Sequence, residues 1–233
     1  MPSRRIAVCL EVSPKQAVAS ALDWPGWCRA GRDEGAALEA LASYAGRYAP
    51  VAGQAGVSFP AAVAFDVAER VPGGPATAFA APECRRPFPQ ITAGAERAAV
   101  APAAARRLAG LVTAAWAAFD EIAAASPAEL RKGPRGGGRD RDAILTHVLE
   151  AESAYARKLD GVKLPAPARD DRTAIAELRD AIVAALGRPS DGQPLVPKGW
   201  PQRYGARRIA WHALDHAWEI EDRKPAPENK HGA

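Results

Sequence analysis

A chain of 233 residues, 48% hydrophobic and 25% charged, has the composition of a globular protein with apolar material enough for one generous domain or two small ones. Its 31 basic residues stand against 27 acidic ones with the signs mostly interleaved, so a net charge of +4 does not by itself point to nucleic acid, and general nucleic-acid binding is not expected. Cys9, Cys28 and Cys84 are odd in number, widely spaced and form no CxxC pair, which argues against a disulfide framework and a thiolate zinc site and makes a reducing cytoplasm the expected compartment.

The first residues, MPSRRIAVCLEV, are too short and too polar for a secretion signal or a membrane span, and no later stretch is apolar for long enough, so no membrane association is expected. Ile6 to Val12 reads as a strand. A second extended stretch, Ala17 to Leu22, runs into Trp24-Pro25-Gly26-Trp27, where Pro-Gly after an apolar run marks a turn. Between Glu34 and Tyr48, the residues Ala37, Leu38, Leu41, Tyr44, Ala45 and Tyr48 fall at helical spacing behind Asp33, a suitable N-cap. Ala62 to Val71 is a further strand candidate.

From Pro72 to Thr92 the chain is rich in Pro and Gly and reads as loop and linker, which puts a boundary near residue 95. Four helical segments follow, Pro102 to Ala125, Asp140 to Leu159, Arg172 to Leu186 and Tyr204 to Arg223, separated by Pro and Gly stop signals. The basic, glycine-rich run Arg131 to Arg141 reads as a flexible, solvated connector. The expected fold is therefore α+β: a small N-terminal α+β domain over residues 1–95, an antiparallel four-helix bundle over 96–227, and a disordered tail over 228–233.

The sharpest local feature is His212-Ala213-Leu214-Asp215-His216. Two histidines four apart on a helix share a face and can share one ion. At about 100° per residue, they sit between a polar stripe with Asp215 and Glu219 and an apolar strip with Ile209, Ala213 and Ile220. His147 occupies a similar border on an earlier helix, beside Ile144, Val148, Ala151 and Tyr155. Three neutral imidazoles suit one divalent ion, zinc or nickel first, with a coordination position left for water or substrate. An HxxxH pair can equally be a pair of ordinary histidines on a solvated face; the third histidine on another helix favours the metal reading. Asp215 and Glu219 are candidates to orient the rings. Trp200 and Tyr204, in the loop entering the last helix, are candidates to line a substrate mouth. The remaining tryptophans read as packing residues. Gly73-Gly74-Pro75 lacks the context of a phosphate loop.

Residues 102–223 resemble the DinB-like superfamily of metal-binding four-helix bundles, on the segments ILTHVLEAE around His147 and RRIAWHALDHAWEIEDR around His212 and His216. The resemblance implies that these three histidines are the metal ligands. It also implies a metal-dependent transferase or isomerase acting on a small electrophilic substrate, with a low-molecular-weight thiol as co-substrate. The N-terminal segment resembles, more loosely, HicB-like domains in its strand pair, the turn at Trp24-Pro25-Gly26-Trp27-Cys28 and the helix after Asp33-Glu34; no ribbon-helix-helix segment accompanies it, so the antitoxin role is not implied. A non-catalytic metal-binding stress or sensor protein, or a protein-interaction module, is the alternative. The expected partner is a small-molecule substrate, and a homodimer is allowed.

Overall fold

The computed structural model describes residues 5–75, 88–133 and 137–225; Cys84, His231 and the tail expected at 228–233 lie outside them. Within these bounds the chain is α+β. A four-stranded mixed sheet with two helices comes first, and a region of four longer helices follows.

The sheet is built from β1 (Ile6–Val12), β2 (Ala17–Ala21), β3 (Cys28–Gly31) and β4 (Phe65–Pro72), in the order β3-β2-β1-β4. β1 runs antiparallel to β2 and parallel to β4, and β2 runs antiparallel to β3. All five residues of β2 are buried, as are five of the seven in β1, whereas β4 alternates between half-buried and exposed along its length. The sequence predicted β1, β2 and β4 but not β3. Four residues, Cys28-Arg29-Ala30-Gly31, are too few to display the two-residue alternation that identifies a strand. The turn before β3 is as expected: Trp27 donates its N–H to the Trp24 carbonyl at 3.0 Å, and Gly26 adopts φ 93°. A Cβ at Gly26 would also lie 2.8 Å from Leu214, so this turn rests directly on the last helix.

The helix predicted from Glu34 to Tyr48 is two helices, α1 (Glu34–Ser43) and α2 (Ala45–Gln54), which meet at Tyr44. Asp33 caps α1 as expected, accepting from the Ala36 N–H at 2.8 Å. Between the two helices and the sheet sits an aromatic core. Trp27 stacks on Tyr48 with ring centroids 5.6 Å apart, touches Phe59 and Phe65, and donates its indole N–H to the Leu41 carbonyl at 2.9 Å.

The four long helices are α3 (Pro102–Ala124), α4 (Arg141–Asp160), α5 (Arg172–Leu186) and α6 (Gln202–Asp222), all close to their predicted bounds. α3 packs on α6, α6 on α4, α4 on α5, and α5 on α3. The ends of the predicted solvated connector are tied down: Arg131 and Arg223 exchange backbone and side-chain hydrogen bonds, and Lys132 pairs with Asp140. These partners come from the end of α6 and the start of α4, and local glycine content gives no sign of them.

The sequence left open whether the polar stripe of α6 faces solvent. In the structure 17 of its 21 residues are buried, because the sheet and the segment 88–97 cover the side that the other helices leave open. Arg207 shows how that is tolerated. Its five N–H donors reach Glu96 at 2.6 and 2.8 Å, the Ile91 carbonyl at 2.7 Å, Ser20 at 3.2 Å and Glu11 at 3.4 Å. Glu11 in turn accepts from the backbone N–H groups of Gln90 and Ile91. One guanidinium thus joins β1, β2, the 88–97 segment and α6.

Replacing Glu96 with Ala strands most of that buried charge, and we expect a loss of about 3 kcal/mol or more in urea unfolding. A polypeptide of residues 96–225, which lacks Glu11, Ser20 and Arg29, should fail to give a monomer that unfolds cooperatively. Circular dichroism and sedimentation of that fragment check this.

Candidate metal centre

α4 and α6 bring three histidines together. α4 begins after Asp140 and ends at Gly161, whose φ of 71° suits the left-handed stop of a helix. Its buried residues Ile144 and Val148 turn it so that His147, between them, lies at the edge of the core, half-buried. His212 and His216 are one turn apart on α6, and both are buried.

One ligand atom from each of His147, His212 and His216 lies within 4.8 Å of the others. Nε2 of His212 and Nε2 of His147 are 3.2 Å apart. Two imidazole nitrogens about 2.0–2.1 Å from one ion, at a tetrahedral angle, would be roughly 3.4 Å apart. The observed separation therefore fits two ligands of a single small ion. The rings are mutually edge-on, with centroids 4.7 to 5.1 Å apart. Among the described residues no Cys, Asp or Glu joins the group as a fourth donor.

Glu219 stands where the sequence reading put it, beside the pair: its carboxylate is 3.0 Å from Nδ1 of His216 and is itself held by Arg223 at 2.8 Å. With Nδ1 of His216 so engaged, Nε2 is the nitrogen left for an ion. Asp215 is elsewhere. It points to the sheet and pairs with Arg29 at 2.9 Å, both side chains being buried. The helical wheel placed Asp215 beside the histidines but held no information about β3.

Of the two residues expected at a substrate mouth, Trp200 is half-buried and lies against Tyr155, with ring centroids 5.2 Å apart. Tyr155 in turn meets His212 edge-on at 5.7 Å. Tyr204 is buried behind Trp200 and donates its hydroxyl to the Gln90 carbonyl at 2.9 Å. Trp200 thus approaches the cluster through Tyr155, whereas Tyr204 supports it from behind. The role of Tyr155 as the link was not foreseen, because its spacing marked it only as one more residue on the apolar face of α4.

The electrostatics are those of a largely buried, cationic site. Burial pushes the His212 imidazolium pKa well below the usual 6.5, and His216, Arg208, His147 and Arg139 add to the effect. His212 is therefore neutral at physiological pH, the form that binds metal. Its Nδ1 is buried and has no hydrogen-bond partner among the described residues.

The chain matches no protein-family model, no curated protein and no solved structure.

The depressed value has a direction on the pH axis. Below the ordinary imidazole pKa of 6.5 the unfolded chain takes up a proton at residue 212 that the folded chain refuses, so stability falls as the pH drops and is insensitive to this group above that value. We expect the urea midpoint of the metal-free protein to decline between about pH 7 and pH 5. The slope should be shallower in His212→Gln, and an equal slope in both proteins would reject the assignment.

Proposed function

We propose that the protein is a divalent-metal-binding member of the DinB-like bundles, with His147, His212 and His216 as ligands, and that it is a metal-dependent transferase or isomerase for a small electrophilic substrate. The observation that carries the reading is the gathering of three imidazole nitrogens within 4.8 Å, with no fourth protein donor among the described residues. A structural zinc site is closed by four protein ligands, whereas a catalytic one keeps a position for water or substrate.

Zinc or nickel held there would supply Lewis acidity and lower the pKa of a bound thiol or water, so that a nucleophile exists near neutral pH. The thiol co-substrate is taken from the family resemblance. The chain's own residues do the rest. Glu219 fixes the His216 ring through Nδ1, and the burial of His212 keeps its ring neutral and available. Tyr155 and Trp200 provide an aromatic wall on the approach to His212. In this reading the N-terminal sheet is a reused HicB-like scaffold whose task is to cover α6.

One observation weighs against His212 as a ligand, whatever the role of the ion. Ligating histidines in metalloenzymes usually donate their second N–H to an orienting group, and Nδ1 of His212 has none among the described residues.

Protein purified without an affinity tag or chelator should carry about one divalent ion per chain by elemental mass spectrometry. The variant with His147, His212 and His216 all changed to Ala should carry none, and His212→Ala alone should lose tight binding. Full metal content in the triple variant would end the proposal. Metal without thiol-dependent turnover of electrophiles would leave the stress or sensor reading.

A further inference from the structure

Arg208 lies one helical turn before His212 on α6, so the two side chains rise from the same face of the helix. It is only 8% exposed. The other deeply placed arginines hold carboxylates: Arg207 holds Glu96, Arg179 holds Glu152 and Asp120, and Arg29 holds Asp215. Arg208 makes no ion pair or hydrogen bond with any described residue, and its Nη1 is buried without a partner.

Its guanidinium is instead boxed by rings, with Cζ 3.9 Å from the centroid of Phe88, 4.8 Å from Trp211 and 5.6 Å from Tyr155. Two of these rings also border the histidine cluster. Tyr155 lies 5.7 Å and Trp211 6.0 Å from the His212 ring, so the arginine and the histidines share walls.

A buried cation without a counter-charge is unfavourable, and contact with aromatic faces offsets only part of that cost. Stacking engages the faces of the guanidinium and leaves its N–H edge, which is the part that grips a carboxylate through two parallel hydrogen bonds. A divalent ion on three neutral imidazoles would add two more positive charges beside it, making an anion the complementary occupant.

We propose that Arg208 is an anion-binding residue of this site, receiving the carboxylate of a small substrate whose other end approaches the His147–His212–His216 cluster. The position of that other end rests on the metal-binding reading; the carboxylate site stands on Arg208 and its aromatic box.

The test titrates the zinc-loaded protein with mercaptoacetate and with 2-mercaptoethanol, thiols of similar size that differ in the carboxylate, following tryptophan fluorescence and heat. Mercaptoacetate should bind at least about tenfold more tightly to the wild type, the increment of one charge-assisted hydrogen-bonded contact. The preference should vanish in Arg208→Gln and partly return in Arg208→Lys, with zinc content unchanged in both. Equal affinity of the two thiols in the wild type, or a preference that persists in Arg208→Gln, would overturn the proposal. If zinc does not bind, the metal reading falls separately, and benzoate titrated into the metal-free protein tests the carboxylate site alone. Saturable binding lost in Arg208→Gln supports the site, and no binding by the wild type rejects it. Should Arg208→Gln fail to fold by circular dichroism, the wild-type comparison and Arg208→Lys support or reject the site in the same way.

Discussion

A helix that is buried on nearly every side must find a partner inside the protein for each polar group it carries, and α6 carries Arg207, Arg208, His212, Asp215 and His216 into the interior. The rest of the architecture can be understood as the set of surfaces that answers this demand. Glu11 and Ser20 from the sheet and Glu96 from the turn at Gly94–Arg97 surround Arg207, and Arg29 on β3 meets Asp215. The aromatic residues Tyr44 and Trp218 then cover Arg29, whose Cζ lies 3.6 and 4.3 Å from their ring centroids. Burying such pairs adds little net stability compared with apolar packing, but it makes alternative placements of α6 unfavourable, since any shift leaves charges unmatched.

What could be read from the sequence follows from how local the determining interactions are. The four long helices were legible because periodicity and stop signals such as Gly161 after α4 act within a few residues. The meeting of His147 with His212 and His216 was legible for a related reason. An i,i+4 pair fixes a face, and the edge position of a third histidine limits where it can point. β3 was not legible, since its four residues pair by register with β2 rather than by any pattern of their own. The fate of Asp215 was also hidden, because Arg29 lies 186 residues away along the chain. On a helical wheel a stripe of charges looks the same whether water or a sheet lies beyond it.

The same distinction separates Glu219 from Asp215. Glu219 reaches His216 and Arg223 within a single turn of α6, so sequence spacing alone could propose the contact. Arg208 was equally accessible to such reasoning, standing four residues before His212, but its meaning depends on Phe88 and Tyr155, which come from elsewhere in the chain. Spacing finds neighbours on a helix. Only the assembled fold tells whether a charged neighbour has been neutralised.

That difference bears on the proposal that the histidine cluster and Arg208 form one site. Where α6 touches the sheet, each charge is met: Arg207 has all five donors engaged and Asp215 has Arg29. Toward α4 the pattern changes. The buried guanidinium of Arg208 has no carboxylate partner among the described residues, and the Nε2 atoms of His147 and His212 face one another at 3.2 Å. A buried charge is costly unless it is paired, so an arginine left without a carboxylate fits a place that a ligand completes. On the sheet side of α6 each charge thus has an opposite charge, and the side turned to α4 suits a cation among the imidazoles and an anion on the guanidinium. The rigidity of the first side holds the second in place, because helix positions pinned by matched buried charges keep ligand geometry better than a loop could.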